Sequence, residues 1–214
     1  MLVRDRMTRD PVTVTPETSF QEALKIIRER KIRRLPVLDE RGHLVGIVAE
    51  KDLLYASPSP ATSLSIFEMH YLLAKLRVKD IMTREVITTT GDTPLEDAAC
   101  LMVTRKIGCL PVVEDGQVVG IITETDIFKT FVELLGGGKR GLRLTLRVPE
   151  RKGVLAAITG EITKRGGNIL NLGTFAGADP TERFLVIRVQ EVSREELIPA
   201  LEALGEKVIE AREV

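Results

Sequence analysis

The sequence predicts a mixed α+β and α/β chain: two copies of a β-α-β-β-α unit packed about a pseudo-twofold axis, then a smaller β-α-β-β-α-β domain. Three observations carry this. The stretch Gly120-Ile121-Ile122-Thr123-Glu124-Thr125-Asp126 echoes Gly46-Ile47-Val48-Ala49-Glu50-Lys51-Asp52. The echo belongs to a longer repeat. Met7 aligns with Met82 and Pro36 with Pro111, both 75 residues on. Gly46 aligns with Gly120 and Asp52 with Asp126, both 74 on, because the intervening turn is one residue shorter. About 20 of 47 aligned positions are identical, far beyond chance for a self-comparison. Beyond residue 141 the pattern changes, and Leu142, Leu144, Leu146 and Val148 alternate as a half-buried strand.

The bulk numbers narrow the function classes. A chain of 214 residues, 43% hydrophobic and 29% charged, has the make-up of a soluble globular protein. Its 31 basic and 31 acidic residues balance, so there is no electrostatic footprint for nucleic acid or an anionic membrane. No apolar run approaches the roughly 18 residues of a membrane span. No apolar core with a cleavage site follows Met1, so no signal peptide is expected and the cytoplasm is the expected compartment. Cys100 and Cys109 have no ligand-like spacing, so neither a metal site nor a disulfide framework is expected.

In the first repeat (1–56), Val12 to Thr15 reads as extended. Thr18 reads as an N-cap with Gln21 three residues on, and Phe20, Ala23, Leu24 and Ile27 form the buried stripe of a helix. Arg28, Arg30, Lys31, Arg33 and Arg34 crowd its end, where cations suit the helix dipole; a solvated last turn is favoured over phosphate contact. Leu35 to Leu38 and Leu44 to Val48 form a hairpin across Asp39–His43, and residues 49–56 a helix. His43 at the turn tip reads as solvated. Residues 57–77 are a linker with a Ser/Pro-rich loop at 57–62. Residues 64–76 read as a helix apolar nearly all round, buried against neighbours or a second chain, with His70 in a packing role. The second repeat (78–132) keeps the grammar, with Thr93 as N-cap, Pro94 at N1 and Glu96 at N3. Gly136 to Gly141 lacks a preceding strand and a Gly-Lys-Ser/Thr ending, so 133–141 reads as a flexible hinge and not a phosphate loop.

In 142–214, Leu155, Ile158 and Ile162 share a helix face that ends at Gly166-Gly167. Asn168 to Leu172 and Phe184 to Val189 are strands. Ser193 caps a helix with Glu196 at N3, and Val208 to Ala211 is a last strand. The order β-α-β-β-α-β is the ferredoxin-like arrangement.

Val-x-Asp-x-Met-Thr, apolar-Pro-Val and Gly-apolar-apolar-Thr-x-x-Asp, twice over residues 1 to about 132, resemble a pair of CBS domains, a Bateman module. The resemblance implies adenosine-containing ligands (AMP, ADP, ATP or S-adenosylmethionine) in clefts between the repeats. By the family's pattern the hydroxyl before the last helix meets ribose or phosphate, and the aspartate accepts from the ribose hydroxyls. This implies one site at Thr123 and Asp126, with Thr88 and Thr90 on the first strand and Ile107, Gly108, Cys109, Leu110 and Pro111 near the base. Gly108 would let backbone approach closely. A second site would use Asp52, Thr13, Thr15, Arg34, Leu35 and Pro36, but Ala49 stands where the hydroxyl should be. The Thr123/Asp126 cleft is therefore expected to bind more tightly, and the Asp52 cleft to be weak or empty. Thr-x-x-Asp is equally a helix capping box, and that reading stands beside the first.

Glu150-Arg-Lys-Gly153-Val-Leu155 followed by Gly167-Asn168-Ile169 resembles an ACT domain, a regulatory module that pairs side by side and often binds amino acids at the joint. The likeness implies an amino-acid site at Gly153, Val154, Leu155, Asn168 and Ile169, beside a purely dimerising alternative. Two CBS domains followed by an ACT domain resemble the acetoin-utilisation B-type proteins. No nucleophile–base pair or catalytic constellation appears, so no enzyme is expected. The expectation is a homodimeric regulatory protein that senses an adenosine ligand and acts on an unknown partner through the hinge. The alternative is an oligomerisation scaffold with degenerate clefts.

Overall fold

The computed structural model describes residues 1–57 and 65–214, without the side chains of Ile66, Met69 and His70. The loop expected at 57–62 falls largely outside the described residues, as does the side chain of His70. The chain divides into two packed units, Met1–Ile127 and Phe128–Val214.

The first unit holds both repeats except the greater part of the last helix, which runs on into the second unit. After a 3-10 turn at Val3–Asp5 come β1 (Thr8–Arg9), α1 (Phe20–Arg30), β2 (Arg34–Leu38), β3 (Leu44–Ala49), α2 (Glu50–Ala56) and α3 (Ile66–Lys75). A second 3-10 turn at Val78–Asp80 precedes α4 (Leu95–Arg105), β4 (Cys109–Glu114), β5 (Gln117–Thr123) and α5 (Glu124–Leu134). The caps of α1 and α4 differ from expectation. Ser19, not Thr18, caps α1 by accepting from Glu22 N at 3.2 Å. Thr18 instead accepts from Thr15 N at 3.0 Å, holding the turn before the helix. Thr93 likewise takes bonds from Thr89 and Thr90, and the N-cap of α4 is Pro94, with no side-chain cap. Threonine two or three residues before a helix competes for the turn as readily as for the cap. The extended stretches before the helices are one bridge long. Val14 pairs with Val37 and Thr89 with Val112, both parallel.

Each repeat's opening segment packs into the other repeat. β1 pairs with β5, Thr8 opposite Ile121, and the equivalent Thr83 pairs with Ile47 of β3. Met7 lies over Gly120 and Met82 over Gly46; a Cβ at either glycine would come within 2.5 Å of the sulfur. The cores follow the exchange. Val3 is buried with Leu95, Ala98, Met102, Leu110, Val112 and Ile122. Val78 and Met82 are buried with Phe20, Ile27, Leu35, Val48 and Leu53. The unit that repeats in sequence is thus not the unit that packs. α3 was expected to be buried against neighbours or a second chain; within the chain Phe67 is 87% exposed and Tyr71 and Leu72 are also exposed, so neighbours in the same chain do not cover that face.

The second unit contains β6 (Leu142–Pro149), α6 (Val154–Lys164), β7 (Asn168–Ala176), β8 (Glu182–Gln190), α7 (Arg194–Ala203) and β9 (Lys207–Glu213). The four strands form an antiparallel sheet in the order β7-β8-β6-β9, the ferredoxin-like arrangement. Alternation buries Leu142, Leu144, Leu146 and Val148 against Ile158 and Ile162 of α6 and Leu197 and Leu201 of α7. Ser193 caps α7 by accepting from Glu196 N, as expected. Residues 133–141, expected to be a hinge, are tied to this sheet. Asn171 Nδ2 donates to Glu133 O (3.0 Å) and Leu134 O (2.9 Å), Arg188 to Lys139 O, and Gln190 Nε2 to Arg140 O (2.8 Å).

The exchanged openings generate a test. Val3→Ala should destabilise the protein by roughly 2 kcal/mol, two methyl groups lost from a fully buried site plus a cavity. In hydrogen exchange, protection should fall more in α4 and β4 than in α1 and β2, although Val3 lies in the first sequence repeat.

Candidate functional site

The two Thr/Ala-x-x-Asp corners sit where β3 runs into α2 and β5 into α5. At the second corner, Asp126 Oδ2 accepts from Thr123 N at 2.9 Å and from Thr123 Oγ1 at 2.6 Å. At the first, Asp52 Oδ2 accepts from Ala49 N at 2.9 Å, and Ala49 has no hydroxyl to add. Both carboxylates therefore act in helix starts. Among the described residues, Asp52 Oδ1 has no hydrogen-bond partner.

A cleft of about 190 Å³ opens beside Asp52. Ala49, Asp52 and Arg34 line it from the first repeat, and Ile107, Gly108, Cys109 and Pro111 from the second. Glu85, Val86 and Ile87 of the second repeat's opening complete it. This corrects the expected grouping. Ile107, Gly108, Cys109 and Pro111 line the Asp52 cleft, although Cys109 is the strand partner of Thr123. The exchange of openings is the reason: it sets the second repeat's first segment against β3 of the first, so the walls of this cleft come from both.

Other expected residues lie elsewhere. Leu35 and Leu110 are fully buried in the two cores, because alternation along β2 and β4 turns them inward. Pro36 is buried, and its carbonyl accepts from Val14 N. Thr15 and Thr90 share their hydroxyls with Thr18 and Thr93 in the turns before the helices. Thr13 and Thr88 flank the buried Val14 and Thr89, and Thr13, expected in the Asp52 site, does not line that cleft.

The cleft is amphipathic. Ile47, Ile87, Ile107 and Pro111 give apolar walls; Arg34, Lys51 and Lys106 bring positive charge, and Asp52 and Glu85 negative. Its volume is below the roughly 300–1,000 Å³ common for small-molecule sites. The Arg34 side chain accounts for part of this. A Cβ on Gly108 would lie 2.1 Å from Arg34 Nη2 and 2.8 Å from Glu124 Oε2, so the bare glycine makes room for that guanidinium. Burial pushes the Cys109 thiol up to about 11, with Arg34 pulling the other way. A thiol in that state is a wall group, not a nucleophile. Among the described residues no group of three or more His, Cys, Asp or Glu side chains could hold a metal ion.

In the second unit, Gly153 is the N-cap of α6 at φ +88°, and nothing lies within 4 Å of where its Cβ would be. The left-handed backbone, not crowding, calls for glycine there. Val154 and Ile169 turn into the core, while Leu155 and Asn168 are exposed. The sequence reading missed Glu206. Its side chain is 1% exposed, Oε2 has no partner, and Arg151 Nη2 stands 3.9 Å from Oε1. Burial raises its pKa and Arg151 only partly offsets this.

With this geometry in hand, comparison with known proteins defines the class. The CBS domain model matches residues 3–59 and 78–133, and the ACT domain model residues 143–206. The chain belongs to the CBS domain family and carries two CBS domains followed by an ACT domain. An uncharacterized protein of Methanocaldococcus jannaschii is 34% identical over 155 residues, 62% of this chain and 92% of the relative. A CBS domain-containing protein of Dictyostelium discoideum is 31% identical over 136 residues, 63% of this chain and 94% of its own. Among solved structures, a Vibrio cholerae protein assigned to acetoin utilization (AcuB) matches with TM-score 0.53 and 32% identity, covering 64% of this chain and 93% of that one. The CBS domain pair of protein MJ0100, in complex with 5′-methylthioadenosine and S-adenosyl-L-methionine, matches with TM-score 0.52 and 36% identity over 65% of this chain and 98% of that one. CBSX2 in complex with AMP matches with TM-score 0.51 and 34% identity over 61% and 96%. Among the described residues, no helix is long and apolar enough to cross a membrane.

Glu206 gives a pH-dependent test. Its folded pKa is raised above the ordinary 4.5, so its contribution to stability is greatest below pH 4.5 and is lost as pH rises through the folded value. Glu206→Gln should therefore raise the melting temperature at pH 7 and lose its advantage below about pH 4.5. Arg151 is largely exposed, so stranding it costs little.

Proposed function

We propose that this protein is a ligand-sensing regulator that binds an adenosine-containing molecule in its CBS pair. The observation that carries the reading is the Asp52 cleft. It joins apolar walls from both repeats to one carboxylate with an open oxygen. The two hydroxyls of a ribose pair well with one ionised carboxylate, and charge-assisted hydrogen bonds are the strong ones. The apolar walls suit the faces of an adenine ring. Solved CBS pairs above 30% identical hold AMP, 5′-methylthioadenosine and S-adenosyl-L-methionine, which supports the same ligand class here. Because its walls come from two repeats, a ligand in this cleft favours whichever placement of the repeats it contacts better, and it shifts the balance only by that difference.

The protein acts as a sensor and not as an enzyme in this reading, in keeping with relatives such as the Dictyostelium protein, which matches over nearly its full length. It works as a homodimer through the CBS pair and the ACT domain. Exposed Tyr55 on α2 and Phe67, Tyr71 and Leu72 on α3 offer apolar surface for the first contact. An amino acid at the ACT joint would use Gly153, Leu155 and Asn168, the backbone and exposed members of the expected set. A scaffold with degenerate clefts is the second reading, and the Thr123–Asp126 pair favours it on that side, since the hydroxyl and amide of Thr123 both bond the carboxylate.

Thermal melting separates the two. AMP, ADP, ATP, S-adenosylmethionine or 5′-methylthioadenosine at 100 times its dissociation constant should stabilise the protein by about 2.7 kcal/mol. Asp52→Ala should cut the shift to the part that the Asp126 cleft supplies. Asp52→Asn should do the same while still accepting from Ala49 N, which separates binding from helix capping. No shift with any of the five compounds supports the scaffold. Light scattering should give twice the chain mass.

A further inference from the structure

We propose that the two clefts of the CBS pair are unequal because Arg33 straps the one beside Asp126, so that the Asp52 cleft fills first. The inference rests on the adenosine reading above and reverses the ranking that the Thr123 hydroxyl suggests.

The pseudo-twofold makes the comparison position by position. Glu50 N donates to Arg33 O at 2.9 Å, and Glu124 N donates to Gly108 O at 3.2 Å. Arg33 and Gly108 thus hold the same place, each at the foot of a helix start. Lys51 and Thr125 are the next residues along those helices, and they too are equivalent. In the Asp52 cleft, Gly108 and Lys51 are both wall residues. At the equivalent place beside Asp126, Arg33 stands where Gly108 would be and Thr125 where Lys51 would be. Arg33 Nη2 donates to Thr125 Oγ1 at 2.9 Å. A bond between those two positions runs from one wall of the equivalent cleft to the other. The arginine at the end of α1, read from sequence as a solvated cation, thereby acquires a specific place.

The pairing is also reciprocal in size. Arg34 lies against bare Gly108 and faces the Asp52 cleft. At the equivalent place Cys109 stands for Arg34 and Arg33 for Gly108, and Arg33 reaches Thr125. Both Arg33 and Thr125 are exposed, so the strap is one accessible hydrogen bond and a ligand can displace it. The consequence is a graded penalty on the second cleft and not a sealed one. Asp126 adds to it, since Thr123, the hydroxyl that would meet a ligand, already donates to its carboxylate.

The test is titration calorimetry of the full chain with AMP and, in parallel, 5′-methylthioadenosine. The wild-type protein should show a tighter and a weaker phase, each of one equivalent per chain. Asp52→Asn should remove the tighter phase and leave the weaker. Arg33→Gly should tighten the weaker phase by roughly three- to tenfold, the worth of one solvent-accessible hydrogen bond, and leave the tighter phase unchanged. Thr125→Val keeps the size of the side chain, removes the acceptor and should act in the same direction, which guards against a folding defect in the glycine variant. Two equal phases in the wild type would overturn the proposal while leaving the adenosine reading in place. So would Arg33→Gly and Thr125→Val proteins that both titrate as wild type, or loss of the weaker phase alone in Asp52→Asn. Absence of heat with both compounds would remove the adenosine reading, and this inference with it.

Discussion

The exchange of opening segments between the two repeats is the constraint on which the first unit depends. Neither repeat owns a complete core. Val3 fills the core of the second, and Val78 and Met82 fill that of the first. Each exchange is fixed by a short antiparallel contact and by a methionine lying over a strand glycine, Met7 on Gly120 and Met82 on Gly46. Interiors are close-packed, so a segment with a methionine and a buried valine cannot leave without opening a void. The glycines matter because a Cβ would meet sulfur at 2.5 Å. The two repeats therefore fold as one object.

That constraint also builds the cleft. Asp52 and Ala49 come from the end of β3, while the facing wall comes from the second repeat's opening and from the start of β4. A pocket with walls from two halves is sensitive to their placement, which a pocket inside one half would not be. The pseudo-twofold would make two identical clefts if the repeats were identical. They differ most where it counts: Arg33-Arg34 against Gly108-Cys109, and Ala49 against Thr123. Gly108 leaves room that Arg34 takes in the Asp52 cleft, while Arg33, in the place equivalent to Gly108, bonds Thr125.

The second unit is a more ordinary case. A strictly alternating β6 and two amphipathic helices make a core that any period-counting argument finds. Its polar features were harder to see. Asn171 and Arg188 are unremarkable letters in two strands, yet both hold carbonyls of the 133–141 segment. Glu206 follows a glycine and looks like a surface turn, yet its side chain is sealed from water. Nothing in the spacing of these residues betrays contacts made across dozens of positions.

What the sequence by itself determined was whatever depends on near neighbours: the repeat, the period of each element, the alternating faces of the strands and the capping chemistry of Ser193 and of the two aspartates. Local hydrogen bonds and side-chain periodicity act within a few residues, so they are written directly in the letters. Three-dimensional packing decided the rest. It chose Ser19 over Thr18 as a cap, carried each repeat's opening into the other's core, set Ile107, Gly108, Cys109 and Pro111 opposite Asp52, and brought Arg33 to Thr125, 92 residues away. Those outcomes depend on which surfaces bury best once the halves meet. Two near-identical openings could each satisfy either core by pattern alone, and only the assembled volume tells them apart.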